Sequence, residues 1–442
     1  MKKTVNKFIA VMVVFVLCLT PIQMSAGQAY VLDYETASPF DLLAAERGVE
    51  FATNYVRTLT MLNNFVDSLP ISRTGELMFP EYFGGAYIDG DGNAVLLMVN
   101  MPVVPPVLEG RDVAQRPINA HIEQMQTSEG VAVREVEFAY SDLWAAIHAL
   151  NDLSQYAPEL FDEATAYGWH LDVIGNRVVV ELYDFTDETI DLFRTTVFDA
   201  PLLAFVQSDG PIVLGCDMLY ADALQDSYHM SAGEISVTPF NTISGGVGEW
   251  IYVQRNRTWV AIGSIGYRAT LGGARGFMTA AHLGGGLRSG DTIYLRDRTT
   301  RIGRVANANH VRLQGFDAAF ITLEPNVEIR NTTAGVAISS HIVSHIFVGQ
   351  EIAATGATLG SRFGQVTSSS GGTMSGTVGG VHVTVNNTIM SNLAGTHGDS
   401  GGIVFCIFTG GVFGIISGGT TAVAHTSRAT EINRALGSSV RR

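Results

Sequence analysis

The chain has 442 residues, 46% of them hydrophobic, and a net charge of -15. Residues 1–29 carry three Lys and no acid, 30–242 carry 8 Arg against 33 Asp and Glu, and 243–442 carry 16 Arg against 9. Such a length predicts two or three domains, and the basic end, with no Lys, scattered Arg and no reader motif, excludes a nucleic-acid role. An acidic middle beside a basic end also points to two parts of one chain that bind each other.

The amino terminus has the form of an export signal. Lys2, Lys3 and Lys7 precede an apolar run from Phe8 to Leu19, and small residues follow at Ser25-Ala26-Gly27-Gln28-Ala29. The run is short for a bilayer span and fits a secretory signal peptide over 1–29, removed after Ala26 or Ala29. A secreted protein with no membrane attachment after signal removal is therefore expected.

Residues 39–68 have the spacing of one amphipathic helix. At 82–99 two apolar strands flank an Asp-Gly-Asn turn, which is hairpin chemistry. The pattern Ile88-Asp89-x-x-Gly92-Asn93-x-Val95 recurs as Leu171-Asp172-x-x-Gly175-Asn176-x-Val178. Helix-like segments lie at 140–154 and 187–198. The expectation for 30–242 is an acidic α+β region of two similar lobes. His121, His148, His170 and His229 stand isolated there and read as surface or packed residues. Around 231–248, Ser231-Ala232-Gly233 and Ile243-Ser244-Gly245-Gly246 mark a junction and a processing region.

Beyond 243, short apolar runs alternate with Gly-rich turns until a helical segment at 427–436. That predicts an all-β sandwich or barrel with a C-terminal helix. Of the three cysteines, Cys18 falls in the signal, and Cys216 and Cys406 fall in different parts, so no disulfide is expected within either.

Ser400 lies within Gly398-Asp399-Ser400-Gly401-Gly402. A serine hydroxyl needs a base and an oxyanion site to act as a nucleophile, and glycines let backbone N–H groups reach a carbonyl oxygen. For the base, His282 ends the apolar stretch Gly276–His282. For the acid, Asp317 is embedded in the apolar run 315–323, where a carboxylate needs a hydrogen-bonding partner such as an imidazole N–H. Asp291 and Asp297 lie in polar loop sequence, and Asp399 adjoins the nucleophile and points elsewhere. His310, His341, His345, His382, His397 and His425 are scattered; His341 and His345 lack a third ligand, so no metal and no cofactor is expected. The motif also fits the Gly-x-Ser-x-Gly elbow of α/β-hydrolases. That elbow requires a helix after the serine and the order Ser, acid, His; here strands follow, and no acid lies between Ser400 and His425.

Thr279-Ala280-Ala281-His282, Asp317-Ala318-Ala319-Phe320-Ile321, Gly398–Gly402 and Gly414-Ile415-Ile416-Ser417-Gly418-Gly419 resemble the signature stretches of chymotrypsin-like serine peptidases. Ile243-Ser244-Gly245-Gly246 and Thr355–Val366 resemble the bacterial streptogrisin and α-lytic protease group. The resemblance covers about 243–440. It implies a double six-stranded β-barrel over 243–442, preceded by the α+β pro-region. It further implies that His282 is general base, that Asp317 orients it, and that Ser400 attacks. Gly398 and Ser400 amides would form the oxyanion hole. Ser417, Gly418 and Gly419 would pair with the substrate backbone and wall the primary pocket, together with 391–397. The implied partners are a peptide substrate and the chain's own pro-region, acting as folding chaperone and inhibitor of a monomeric zymogen. Leu283 and Arg362-Phe363 stand where this group carries cysteines. No acid lines the pocket walls, which favours apolar or small side chains, and Ile416 replaces the His of Glu-selective relatives. An esterase on the same residues and a non-catalytic binding protein are the competing readings.

Overall fold

The computed structural model describes residues 38–73, 77–99, 122–208, 243–305, 311–313 and 315–441. The expected signal peptide and residues 231–242 of the expected junction lie outside the described residues.

The single helix expected over 39–68 is two, α1 (Pro39–Arg47) and α2 (Val49–Asp67). Gly48 separates them at φ 95, a left-handed conformation that an apolar period cannot reveal but glycine adopts without strain. Ser38 and Asp41 form a capping box at the start of α1.

Both expected hairpins form. β1 (Phe83–Ile88) pairs with β2 (Ala94–Val99), and β2 runs parallel to β3 (Val131–Val136). β4 (Ala166–Asp172) pairs with β5 (Arg177–Leu182), and β5 runs parallel to β6 (Leu203–Gln207). The recurrent Asp has a physical role. Asp89 Oδ1 accepts from the Asp91 and Asn93 amides at 3.0 and 2.8 Å, and Asp172 Oδ1 accepts from the Gly175 amide at 2.8 Å. Each side chain thus satisfies a turn that no ladder serves. Helices α3 (Tyr140–Tyr156), α4 (Pro158–Glu163) and α5 (Asp187–Thr196) cover the second sheet, burying Ile147, Leu150, Phe161 and Phe193 against Trp169, Val178 and Val180.

From 243 onward the chain is almost entirely strand. β7 (Ile243–Gly246) runs parallel to β16 (Val327–Arg330). β8 (Trp250–Arg255), β9 (Thr258–Ser264), β10 (Arg268–Leu271), β11 (Ala274–Thr279), β12 (Thr292–Leu295), β13 (Arg301–Val305) and β15 (Ala318–Leu323) form one sheet. Its order is β10-β11-β15-β13-β12-β8-β9, with β14 (Val311–Arg312) on β15 and β25 (Ser438–Val440) on the β10 edge. This first barrel is a curled sheet, not a fully closed ladder: β9 and β10 join through the chain, and no β9–β10 pairing is present among the described residues. After a short hairpin of β17 (Thr332–Thr333) and β18 (Val336–Ala337) comes the second barrel. It is closed, in the order β19 (Glu351–Gly356), β20 (Gly360–Val378), β21 (Val381–Ser391), β24 (Ala424–Arg428), β23 (Val412–Gly419), β22 (Ile403–Phe405). The helix expected from 427 begins two residues later, as α6 (Ala429–Leu436), because Ser427 and Arg428 still pair with β23. This is the chymotrypsin-like double barrel.

The cores follow this division. Ile251, Phe277, Ile293, Ile321 and Ile329 fill the first barrel, and Ile352, Val366, Val404, Phe413 and Ile416 the second. Between them and α6 lie Tyr267, Met278, Phe320, Phe405 and Ile415. The Leu283 side chain, where the resembled group has a cysteine, is fully buried in the first barrel.

Residues 38–208 pack on the second barrel. β4 lies along β20, and Ser368 Oγ donates to the Leu171 carbonyl at 2.8 Å. Thr373 Oγ1 donates to Asn151 Oδ1 at 3.2 Å. The Ile88 amide donates to the Val348 carbonyl at 2.9 Å, and Tyr55 stacks on Phe408. Acid–base pairs across this contact among the described residues are Asp67–His345 and Arg47–Glu351, each 3.0 Å. In the second, the acidic part supplies the cation. Among the described residues, then, one pair runs with the charge contrast between the two parts and one against it, beside apolar packing and hydrogen bonds.

Candidate functional site

His282, Asp317 and Ser400, far apart in sequence, meet between the barrels. His282 Nδ1 lies 2.6 Å from Asp317 Oδ2, and His282 Nε2 lies 3.0 Å from Ser400 Oγ. Asp317 Oδ1 accepts from the Ala281 and His282 amides at 2.7 and 2.9 Å. An ionised carboxylate only accepts, so the Nδ1–H belongs to the histidine and Nε2 is left as acceptor for the serine hydroxyl. Asp317 is 0% exposed, His282 1% and Ser400 8%. That burial is tolerable because every side-chain oxygen of Asp317 is hydrogen-bonded.

Local sequence builds this arrangement. β11 delivers His282 through Ala280 and Ala281, both fully buried. Thr279 Oγ1 donates to the Ser264 carbonyl at 2.9 Å, tying β11 to β9. The nucleophile loop comes very close. A Cβ on Gly401 would sit 2.2 Å from Thr279 Oγ1, and one on Gly398 2.3 Å from Thr358 Oγ1 and 2.9 Å from the Trp250 ring. Both glycines have positive φ, 85 and 91. No other residue type fits either place.

The Gly398 carbonyl is turned inward, accepting from Ser264 Oγ at 2.6 Å. Its amide and that of Ser400 donate to no acceptor among the described residues. They are therefore available to an oxygen beside Ser400 Oγ. Ser417, Gly418 and Gly419 end β23; Gly418 and Gly419 pair with His425 and Ala424 of β24, and Ser417 lies at a bulge in that ladder. The ladder to β22 stops at Ile403–Ile415, so the edge facing the nucleophile loop is open over these residues.

Three supports were not read from the sequence. Ser264 ties four elements together: its Oγ holds Gly398 and accepts from the Ala357 amide at 2.8 Å, and its amide donates to the Ser400 carbonyl at 2.8 Å. Ser427 Oγ accepts from the Asp317 amide at 3.1 Å and lies 2.7 Å from Ser417 Oγ. Isolated serines on strands carry no pattern that marks them. Asp291, read as a loop acid, is instead buried and gripped by Arg255 through contacts of 2.9 and 2.7 Å.

Asp399 points away from His282. Its Oδ1 accepts from the Thr358 and Leu359 amides at 2.9 and 3.0 Å. Its Oδ2 lies 3.1 Å from Arg362 Nη2, an ion pair without hydrogen-bond geometry. Burial pushes the Asp399 carboxyl up, opposed by Arg362 and these amides, and burial pushes the guanidinium down. Arg362 Nε donates to the Ala394 carbonyl at 2.7 Å. Arg362, standing where the resembled group carries a cysteine, thus braces the loop before Ser400.

Among the histidines without an expected role, His345 pairs with Asp67, and His170 lies 3.2 Å from Glu181. His425 is buried and its pKa is pushed down to about 4 by burial. Among the described residues no cluster of three or more His, Cys, Asp or Glu is arranged to hold a metal. Among them, too, no helix is long and apolar enough to cross a membrane.

Residues 149–208 match the family described as the Pro-like C-terminal domain. No curated protein sequence matches the chain. Solved structures similar to this one include Thermobifida fusca protease A, 20% identical over 45% of this chain and 98% of that one, with a TM-score of 0.36. They also include Nocardiopsis protease, 20% identical over 45% of this chain and 100% of that one, TM-score 0.37. Cellulomonas bogoriensis chymotrypsin is 22% identical over 45% of this chain and 98% of that one, TM-score 0.34.

Proposed function

We propose that the chain is the precursor of a secreted serine endopeptidase. The observation that carries this reading is the hydrogen-bonded line Asp317–His282–Ser400 beside two unpaired amides. In the proposed reaction Ser400 Oγ attacks the scissile carbonyl while His282 Nε2 takes its proton. The Gly398 and Ser400 amides receive the oxyanion, a contribution of about 3 kcal/mol per donor in such sites. His282 then gives the proton to the leaving amine, and an acyl-enzyme remains on Ser400. Water, deprotonated by His282, releases the acid and restores the serine. Asp317 keeps the imidazole in the required tautomer throughout. The open edge at Ser417, Gly418 and Gly419 would pair with the substrate backbone.

Residues 1–29 are proposed as signal peptide, 30–242 as pro-region and 243–442 as the peptidase. The buried Asp399–Arg362 pair supports a preformed nucleophile loop, since Asp399 has its partner in the uncut chain. Latency then comes from residues 30–242, which also assist folding; the monomeric mature enzyme needs no cofactor.

The test is N-terminal sequencing of secreted wild type and Ser400→Ala, with fluorophosphonate labelling of both. A new terminus near Ile243 and labelling in wild type alone are expected. Failure of wild type to label after removal of residues 1–242 overturns the catalytic reading. Intact precursor in both, with labelling retained in wild type, overturns self-processing alone.

A further inference from the structure

The Gly398 amide, one of the two unpaired donors beside Ser400, belongs to the peptide unit His397–Gly398. Space forces glycine at 398: a Cβ there would lie 2.3 Å from Thr358 Oγ1 and 2.9 Å from the Trp250 ring. Glycine also removes the steric barrier that would fix the unit, because it takes positive and negative φ about equally well. A flipped unit would turn the His397 carbonyl toward the place of the amide, presenting an acceptor where an oxyanion needs a donor. The loop therefore needs a clamp from outside its own backbone.

Thr358, in the turn between β19 and β20, supplies one. Its Oγ1 donates to the His397 carbonyl at 2.6 Å. In a trans peptide the carbonyl and the N–H point opposite ways. Holding the His397 oxygen on the Thr358 side therefore turns the Gly398 N–H to the other side, where it meets no acceptor among the described residues. The hydroxyl is itself well placed. Threonine is β-branched and stiff at χ1, and the turn that carries it is tied to the nucleophile loop. The Thr358 and Leu359 amides donate to Asp399 Oδ1 at 2.9 and 3.0 Å. The next peptide unit is fixed separately, by Ser264 Oγ on the Gly398 carbonyl at 2.6 Å.

We infer that Thr358 is a positioning residue for oxyanion binding: its hydroxyl holds the His397–Gly398 peptide with the Gly398 N–H open to the oxygen beside Ser400. It touches no reacting atom and acts through Gly398. This rests on the function proposed above and adds a residue to that same site.

The experiment uses the secreted, processed protein as wild type, Thr358→Val and Thr358→Ser, with active sites counted by fluorophosphonate labelling of Ser400 carried to completion. Where a variant does not process itself, an added protease cuts the junction. Thr358→Val keeps the shape and removes the hydroxyl. It should lower kcat by about tenfold or more, toward the roughly 10²–10³ that complete loss of one donor costs, with KM within about threefold. Affinity for a peptide aldehyde, whose hemiacetal oxygen takes the oxyanion position, should fall by a similar factor. Thr358→Ser, which keeps the hydroxyl, should bring both to within about threefold of wild type. Thr358→Ala, read the same way, replaces the valine variant should that not fold. A smaller fall in kcat, a loss carried by KM with aldehyde affinity unchanged, or a serine variant as impaired as the valine one overturns the positioning role and leaves the catalytic reading standing. Failure of both hydroxyl-free variants to fold assigns the hydroxyl to the fold and overturns it too. If wild type does not label, the catalytic reading itself has failed, and the positioning role with it.

Discussion

The two barrels are built on different terms. The first fills its core from residues 251–329 alone. The second closes its ladder by itself, but its outer surface is finished by residues 38–208: Phe347 and Phe408 pack with the helix α2 and β1 cluster, and Val348 with the α3 and β4 cluster. Ile147 lies within 3.0–3.1 Å of where a Cβ on Gly371 would be. The chemistry is divided along the same line. In the proposed mechanism the first barrel supplies His282 and Asp317; the second supplies Ser400, the Gly398 and Ser400 amides and the open edge of β23. A self-contained unit thus carries the proposed base, and a unit completed by the leading region carries the proposed nucleophile. Assembly of the second barrel is where that region is expected to contribute stability.

Variants that touch one side of this division should leave the other alone. The largest effect is expected from Ser400→Ala, which should lower peptide hydrolysis by about 10⁴-fold or more. With the junction cut by an added protease, retention of the leading region should be unchanged in size-exclusion chromatography, because Ser400 makes no hydrogen bond to 38–208 among the described residues. Loss of retention would break the comparison.

Next in size is Arg362→Ala. It leaves the Asp399 carboxylate buried without its cation, a change that costs about 3–5 kcal/mol. Urea unfolding followed by hydrogen exchange should place the loss in the second barrel, with first-barrel amides less affected. Uniform loss across both would show that the barrels do not differ in this way.

The third concerns pH. Burial pushes the Glu351 carboxyl up to about 7, with Gln365 and Arg47 pulling it down and Glu46 pushing it up. A group raised on folding contributes stability that is full below its ordinary value, near 4.5, and is lost as pH rises through 7. His425, pushed down to about 4, works in the opposite sense, losing its contribution as pH falls from about 6.5. The two offset one another between about pH 4.5 and 6.5. Glu351→Gln removes one of them. Its precursor should lose roughly 2 kcal/mol on acidification across that window while the wild type stays nearly level. Chemical denaturation at several pH values measures this; parallel profiles would refute it. The smallest effect is Ser368→Ala, which removes the hydrogen bond to the Leu171 carbonyl. It should weaken retention of the leading region by about 1 kcal/mol and leave kcat/KM unaltered.

Much of this was legible because it depends on local pattern. Strand after strand could be read from alternation, and Asp317 stood out as an acid inside an apolar run. What could not be read depends on approach between distant segments. Ser264 looks like any strand serine until the nucleophile loop folds over it. Gly48 breaks a helix whose apolar period continues across it. Arg362 was visible as a departure from the resembled group, but its partner Asp399 could be known only once both lay under the same loop. The charge contrast between the parts was plain in composition, but which pairs meet at the contact was not: Asp67–His345 runs with the contrast and Arg47–Glu351 against it.

That Arg362–Asp399 brace has a practical side. Cys406 is buried and unpaired, and an ion pair stands where the resembled enzymes carry a cysteine. The fold of the second barrel therefore makes no call on oxidation. Thiol reductants should not loosen it, and it should assemble as well in a reducing cell interior as after export, without a disulfide-forming catalyst.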